Sequence, residues 1–166
     1  PSLVGSEMCI RDRSRRIVKD SINALVSMTH RGGIGSDGKT GDGCGLLVDI
    51  NPDFYVKTLQ KEQKVKLENR FAVGQLFYFQ NITKLISKID YILSNEGLTL
   101  VAHREVPTDT SILGNIALEC LPNIYQLFIQ PVDKNIQEDK FQTAILQARK
   151  FIEAVSYTHL TLPTTD

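Results

Sequence analysis

Apolar residues recur at a spacing of three and four along much of the chain, and this pattern predicts helices with one apolar face. Ser14 and Asn81 precede two of these stretches as capping residues, and Asn51 with Pro52 begins a third. The predicted helices occupy residues 14–30, 52 to about 61–66, 81–97, 110–120 and 138–155. In the last helix, the residues expected to face the core are Phe141, Ala144, Ile145, Ala148, Phe151 and Ile152.

Shorter apolar runs between these helices predict strands. They occupy residues 44–50, 71–79, 98–106 and 124–130. The run at 71–79 is apolar on both faces, which predicts a strand in the middle of a sheet. Helices and strands alternate, so the chain is expected to be α/β or α+β with helices covering the faces of a sheet. The spacing alone leaves the direction of the strands open.

The composition is that of an ordinary globular protein of 166 residues, of which 42% are hydrophobic. Nineteen basic and 19 acidic residues cancel, so no net charge attracts nucleic acid or an anionic membrane. No apolar run approaches the roughly 18 residues of a membrane-spanning helix. The odd number of cysteines, three, argues against a disulfide framework and favours a reducing compartment. The three histidines are too scattered to suggest a metal site.

The two ends of the chain lack the periodicity of its interior. The stretches "PSLVGSEMCIRDR" and "SYTHLTLPTTD" show no sustained helical or strand pattern. We therefore expect residues 1–13 and 156–166 to be non-native or disordered flanks, and residues 14–155 to be natural protein. The arginines near the first boundary are expected to be a solvated end of the chain.

The stretch His30 to Gly45, "HRGGIGSDGKTGDGCG", is called the glycine segment below. It contains seven of the 11 glycines of the chain. Such a density predicts several sharp turns and close approaches of the backbone, either in an elaborate connection or in a loop beside a reaction centre. Asp37 and Asp42 can brace such turns through hydrogen bonds from the backbone.

Two nucleotide-binding patterns also fit the glycine segment. Gly33 to Thr40 matches G-x-x-x-x-G-K-[ST], and Gly33, Gly35 and Gly38 match G-x-G-x-x-G. A phosphate loop needs a strand before it and a helix after it, so that the helix N-terminus faces the anion. Here the predicted order is reversed, and the aspartates would repel phosphate. A P-loop-like nucleotide-binding module is therefore the weaker alternative, beside a non-catalytic α/β interaction domain.

The stretch "LVSMTHRGGIGSDGKTGDGCGLLVDI" resembles the amidotransferase domain at the start of the large chain of glutamate synthases, in which H-R-G is followed by T-G-D-G-x-G. The later stretches "EGLTLVAHREVPTD", "LGNIALECLPNIYQLFI" and "FQTAILQARKFIE" follow in the expected order. The resemblance spans residues 14–153 and implies a partial type 2 glutamine amidotransferase domain. The implied fold is α+β, of the N-terminal-nucleophile hydrolase type, with two stacked, mainly antiparallel sheets between helical layers.

The resemblance also implies a reaction for the parent protein. In this family an N-terminal cysteine attacks the side-chain amide of glutamine, its α-amino group acts as the base, and water releases glutamate from the thioester. The ammonia passes to a downstream synthase domain of the same chain, which makes glutamate from 2-oxoglutarate. The parent is implied to carry FMN and an iron–sulfur cluster and to bind a small electron-supplying subunit, whereas no cofactor is expected in this stretch.

The resemblance implies which residues of this sequence support the site. Arg31 matches the arginine of the family's R-G motif, where a guanidinium favours the thiolate and polarises the amide. Gly32 would let the backbone pass close to the substrate. No cysteine followed by glycine precedes the first helix, so the nucleophile is expected to be missing. The resemblance implies that the oxyanion-hole residues lie beyond the matched region, so this chain alone is expected to be inactive. The residues expected to shape the loop are Asp37, Thr40, Gly41, Asp42, Gly43 and Gly45.

Overall fold

The computed structural model describes residues 14–29, 32–41, 43, 45–156 and 160–161. The helices are α1 (Arg15–Ser27), α2 (Pro52–Gln63), α3 (Thr83–Asn95), α4 (Asn115–Glu119) and α5 (Glu138–Ser156). The strands are β1 (Ala72–Tyr78), β2 (Leu98–Glu105), β3 (Asn123–Pro131) and β4 (Leu160–Thr161). The chain divides into two compact units. The first contains the described residues up to Val48 together with Ile112–Ala117, and the second contains Asp49–Ser111 together with the described residues from Leu118 onward.

The strands form a single sheet within the described residues, in the order β2-β3-β1-β4. All three pairings are antiparallel, and β1 runs against β3 from Ala72 opposite Ile129 to Tyr78 opposite Asn123. The mixture of helices with an antiparallel sheet confirms the α+β class. It also confirms that the strand predicted at 71–79 lies inside the sheet, because β1 has a neighbour on each side.

Successive residues of a strand point to opposite faces of the sheet, and here both faces carry a buried apolar cluster. Leu127 and Phe128 are neighbours in β3, each with no exposed surface, and they belong to different clusters. The cluster of Leu127 includes the buried residues of α3 and α5. The cluster of Phe128 includes Leu59 of α2, and the ring of Tyr55 meets the ring of Phe128 edge to face at 5.6 Å. Helices therefore cover both faces of the sheet.

The predicted helix ends depend on local hydrogen bonds, and the structure contains them. Ser14 Oγ accepts a hydrogen bond from Ile17 N at 3.4 Å, and Asn51 Oδ1 accepts one from Phe54 N at 3.3 Å. Asn81 Oδ1 accepts one from Thr83 N at 2.8 Å, at the start of α3. Gly97, with φ +69°, follows the end of α3. The side-chain caps at Ser14 and Asn51 confirm the starts predicted for two helices. The cap predicted at Asn81 is wrong by one residue, because the N-cap of α3 is Ile82, which makes no side-chain capping hydrogen bond.

Three predictions about the elements are wrong. Residues 45–50 form neither strand nor helix, because no described strand pairs with them and an unpaired strand leaves its backbone groups without ladder partners. The helix predicted within 110–120 is shorter, since α4 begins only at Asn115. Phe151 of α5, predicted to face the core, is 54% exposed because it lies at the edge of the buried stripe.

The predicted flanks lie only partly within the described residues. Residues 1–13 lie outside them, whereas Leu160 and Thr161 pair with Leu76 and Gln75 of β1. The interpretation of both ends as flanks stays a prediction. Among the helices that the structure describes, none is long and apolar enough to cross a membrane.

Candidate functional site

The glycine segment folds into a hairpin over residues Ile34 to Gly41, called the glycine hairpin below. Ile34 and Gly41 form an antiparallel bridge at its base. Gly35 N donates a hydrogen bond to Thr40 O at 2.5 Å, and Gly38 N donates one to Gly35 O at 3.0 Å. Gly38 has φ +68°, a left-handed conformation that glycine adopts without the steric cost of a side chain. The glycine spacing therefore serves a tight reversal of the chain.

Asp37 is the centre of the hydrogen bonds inside the glycine hairpin. Its Oδ1 accepts hydrogen bonds from Lys39 N at 3.1 Å and Thr40 N at 2.8 Å. Its Oδ2 accepts one from the hydroxyl of Thr40 at 2.6 Å. Both side chains are half-buried. A carboxylate that receives several donors is fixed in orientation and resists protonation.

The same contacts determine the charge of Asp37. The hydroxyl of Thr40 contributes most, followed by the backbone N–H groups of Thr40 and Lys39, and together they hold the pKa of Asp37 well below its ordinary value. Partial burial opposes this shift without reversing it. Asp37 is therefore an anion at neutral pH, which makes it a strong acceptor for further N–H groups.

The glycine hairpin also contacts the start of α4. Ile116 N donates a hydrogen bond to Asp37 Oδ2 at 3.3 Å, and Ala117 N donates one to Thr40 Oγ1 at 3.3 Å. Gly114 lies directly against this pair, and a Cβ built there would collide with Asp37 Oδ2 and Thr40 Oγ1 and lie 2.8 Å from Thr40 N. Sequence reasoning missed these residues of 112–117. The signal that could have found them is a glycine directly before a short helix, where a capping side chain is usual.

The other residues expected at the site are distributed along the glycine segment. Gly32 is exposed, and its N–H donates a hydrogen bond to Thr29 O at 3.2 Å. A Cβ at Gly41 would lie 2.9 Å from Gly33 O, so the two arms of the hairpin approach closely there. Gly43 and Gly45 have no described atom within 4 Å of a built Cβ. Arg31 and Asp42 lie outside the described residues, as do His30 and Cys44.

The geometry disfavours a phosphate-binding loop at Gly33 to Thr40. Gly38 and Lys39 lie in the turn of the hairpin and Thr40 precedes its closing bridge, so this triplet does not begin a helix. The element before the segment is α1, a helix, where a phosphate loop requires a strand. The N–H groups at the start of α4 face the carboxylate of Asp37 and the hydroxyl of Thr40.

The described residues do not fit the iron–sulfur cluster implied for the parent. Such clusters are held by cysteine thiolates, and Cys120, which is exposed, is the one cysteine that the structure describes. Within the same residues, no three His, Cys, Asp or Glu side chains group together as metal ligands.

Comparison with known proteins gives a consistent result. Residues 7–162 match the family of class II glutamine amidotransferases, a range that extends into both predicted flanks. The chain is 37% identical to ferredoxin-dependent glutamate synthase 1 of Arabidopsis thaliana over 145 residues. The aligned region covers 84% of this chain and 9% of the Arabidopsis protein. It is 35% identical over 116 residues to the large chain of the NADPH glutamate synthase of Bacillus subtilis, covering 68% of this chain and 8% of the relative.

The NADH glutamate synthase of Saccharomyces cerevisiae is 32% identical over 156 residues, covering 84% of this chain and 7% of the yeast protein. The chain thus spans less than a tenth of the length of these relatives, all of which are named as enzymes. These matches favour the amidotransferase interpretation over the nucleotide-binding and interaction-domain alternatives. The chain belongs to the class II glutamine amidotransferase family.

Proposed function

We propose that this chain is part of the glutaminase domain of a glutamate synthase, which hydrolyses glutamine to glutamate and ammonia for transfer to 2-oxoglutarate. The observation that carries this proposal is the family match over residues 7–162, joined by similarity to three glutamate synthases of different electron donors. The structure is compatible with it, because the glycine segment forms a braced hairpin rather than a phosphate loop.

The proposed fold is that of the N-terminal-nucleophile hydrolases, with the four-stranded sheet as one of two stacked sheets. Two observations support this assignment. All pairings in the sheet are antiparallel, and α3 and α5 together cover one of its faces as a helical layer. The second sheet would be contributed by other parts of the domain.

The proposed chemistry needs a cysteine thiolate that attacks the amide carbon of the glutamine side chain. Ammonia leaves as the thioester forms, and water then attacks the thioester to release glutamate and regenerate the thiol. We assign Arg31 to the stabilisation of the thiolate and of the developing oxyanion, because a fixed cation acts on both charges. Gly32 is assigned to the close passage of the backbone past the substrate, and the exposure of its backbone supports that role.

The proposed partners follow from the relatives and not from contacts of this chain. A downstream synthase domain would consume the ammonia, and a small subunit would supply electrons. FMN and an iron–sulfur cluster would be held outside the residues described here, which do not fit the cluster. The odd number of cysteines supports a reducing compartment, and we propose the cytoplasm.

Glutaminase kinetics of the full-length protein that contains this sequence test the proposal. Release of glutamate and ammonia from glutamine is measured for the wild type and for Arg31→Ala. Loss of the guanidinium should lower kcat/KM by about 100-fold, the usual effect of removing one group that stabilises an oxyanion. The matched control is Arg16→Ala, which removes an exposed arginine of α1 and should leave the kinetics unchanged.

Replacing the N-terminal cysteine of the full-length protein by alanine completes the design. This variant should release no ammonia from glutamine and should still form glutamate from 2-oxoglutarate when ammonium is supplied. A wild-type protein without glutaminase activity, or activity that survives the loss of the cysteine, would show the proposed function to be wrong.

A further inference from the structure

The contact between the glycine hairpin and α4 joins parts of the chain that are far apart in sequence. Asp37 and Thr40 lie 79 and 77 positions before their partners Ile116 and Ala117, respectively. The four groups are called the hairpin–helix contact below: the Asp37 carboxylate, the Thr40 hydroxyl and the backbone N–H groups of Ile116 and Ala117.

The first turn of a helix leaves backbone N–H groups without partners inside the helix. A serine, threonine, aspartate or asparagine just before the helix usually supplies the missing acceptor. In α4 the residue before the first helical position is Gly114, which has no side chain. Asp37 and Thr40 supply the acceptors instead, and they occupy the volume that a capping side chain at Gly114 would fill. The start of α4 is thus capped by a distant loop.

This arrangement fixes the glycine hairpin from both sides. Within the hairpin, Asp37 is oriented by three donors from Lys39 and Thr40. Outside it, the same carboxylate and the hydroxyl of Thr40 accept N–H groups of α4. Since Thr40 Oγ1 donates to Asp37 and accepts from Ala117, loss of this one hydroxyl breaks both an internal and an external hydrogen bond.

Arg31 and Gly32 lie three and two positions before Ile34, the first residue of the bridge that closes the hairpin. We infer that Asp37 and Thr40 are positioning residues, which hold the glycine hairpin on α4 and thereby fix the backbone that follows Arg31 and Gly32, the residues proposed to act on glutamine. The inference rests on the proposed function, because it assigns a purpose to the contact only if Arg31 acts on glutamine. Gly114 is part of the hairpin–helix contact, because the absence of a side chain there leaves room for the Asp37 carboxylate and the Thr40 hydroxyl.

Thr40→Val in the full-length protein tests the inference, because valine keeps the shape of threonine and removes the hydroxyl. We expect kcat/KM for glutamine hydrolysis to fall about 10- to 100-fold, the effect of a misplaced substrate-binding group. Thr40→Ser keeps the hydroxyl and should retain activity within about twofold of the wild type. Asp109→Asn is the control, because Asp109 makes the same kind of turn, with Ser111 N at 3.0 Å, and is exposed.

A double-mutant cycle separates positioning from a general loss of structure. If the contact acts through Arg31, Thr40→Val should change kcat/KM by less than about twofold in a protein that already carries Arg31→Ala. The inference would be overturned if Thr40→Val changed kcat/KM equally with and without Arg31, or if it had no effect with Arg31 present. Either result would leave the proposed function intact. A wild type that hydrolyses no glutamine would overturn the proposed function and this inference with it.

Discussion

Gly114 faces Thr40 so closely that a methyl group has no room between them: a Cβ built on Gly114 would lie 2.8 Å from Thr40 N. A contact of this kind with a backbone atom cannot be relieved by rotating a side chain. Because no side chain fits at Gly114, the acceptors for the first turn of α4 come from Asp37 and Thr40.

Gly114→Ala should therefore destabilise the unit that contains the glycine hairpin. We expect a loss of about 1–3 kcal/mol in the free energy of unfolding, as for other substitutions that overfill a packed site. Urea unfolding of the chain measures it. Gly45→Ala is the matched control, because no described atom lies within 4 Å of its added methyl group, and it should change stability by about 0.5 kcal/mol or less. Equal stability of the two variants would contradict the packing at Gly114.

The charge of Asp37 predicts how the stability of the hairpin depends on pH. In the folded protein the pKa of the Asp37 carboxyl lies below its ordinary value of 3.8. The charged carboxylate therefore stabilises the folded state fully above pH 3.8, and this stabilisation is lost as the pH falls through the pKa of the folded protein. The difference in unfolding free energy between the wild type and Asp37→Asn should be constant between about pH 5 and 7 and should shrink only in stronger acid.

The ¹³C chemical shift of the Asp37 carboxyl group gives a direct reading of the same titration. Its midpoint should lie below pH 3.8 in the wild type and should rise in Thr40→Val, because the hydroxyl of Thr40 makes the largest contribution to the shift. A midpoint at or above 3.8 in the wild type would contradict the hydrogen bonds assigned to Asp37.

Two phenylalanines of α5 test the packing of the core. Phe141 has no exposed surface and belongs to the cluster beneath α3 and α5, whereas Phe151 is 54% exposed. Phe141→Ala should cost about 3–5 kcal/mol of unfolding free energy. Phe151→Ala should cost about 0.5 kcal/mol or less, as for other exposed positions. Similar losses for both would show that the buried stripe of α5 has been placed on the wrong residues.

Local signals in the sequence predicted much of the fold. Ser14, Asn51 and Asn81 each accept a hydrogen bond at a helix start, and these contacts depend on residues only two or three positions apart. Periodicity predicted helices with one apolar face, and α3 buries Leu85, Ile89 and Leu93 along one such face. It indicates that a helix has an apolar face but not what that face contacts: α1 is amphipathic, yet none of its residues is buried.

Features that depend on distant partners were not predictable in the same way. The apolar run at 44–50 has the alternation of a strand, but a strand also needs a neighbour, and no described strand pairs with residues 45–50. The hairpin–helix contact was missed for a related reason. Asp37 is recognisable as a turn residue, whereas its acceptance of a hydrogen bond from Ile116 depends on a fold that brings together positions 79 residues apart.

The most direct measurement is covalent labelling of the full-length protein with an electrophilic analogue of glutamine, followed by mass spectrometry of the peptides. A glutaminase with a cysteine nucleophile should gain one adduct, located on the N-terminal cysteine, and an excess of glutamine should prevent its formation. Absence of an adduct at that cysteine, or labelling that glutamine does not reduce, would contradict the assignment of this chain to a glutamine-hydrolysing domain.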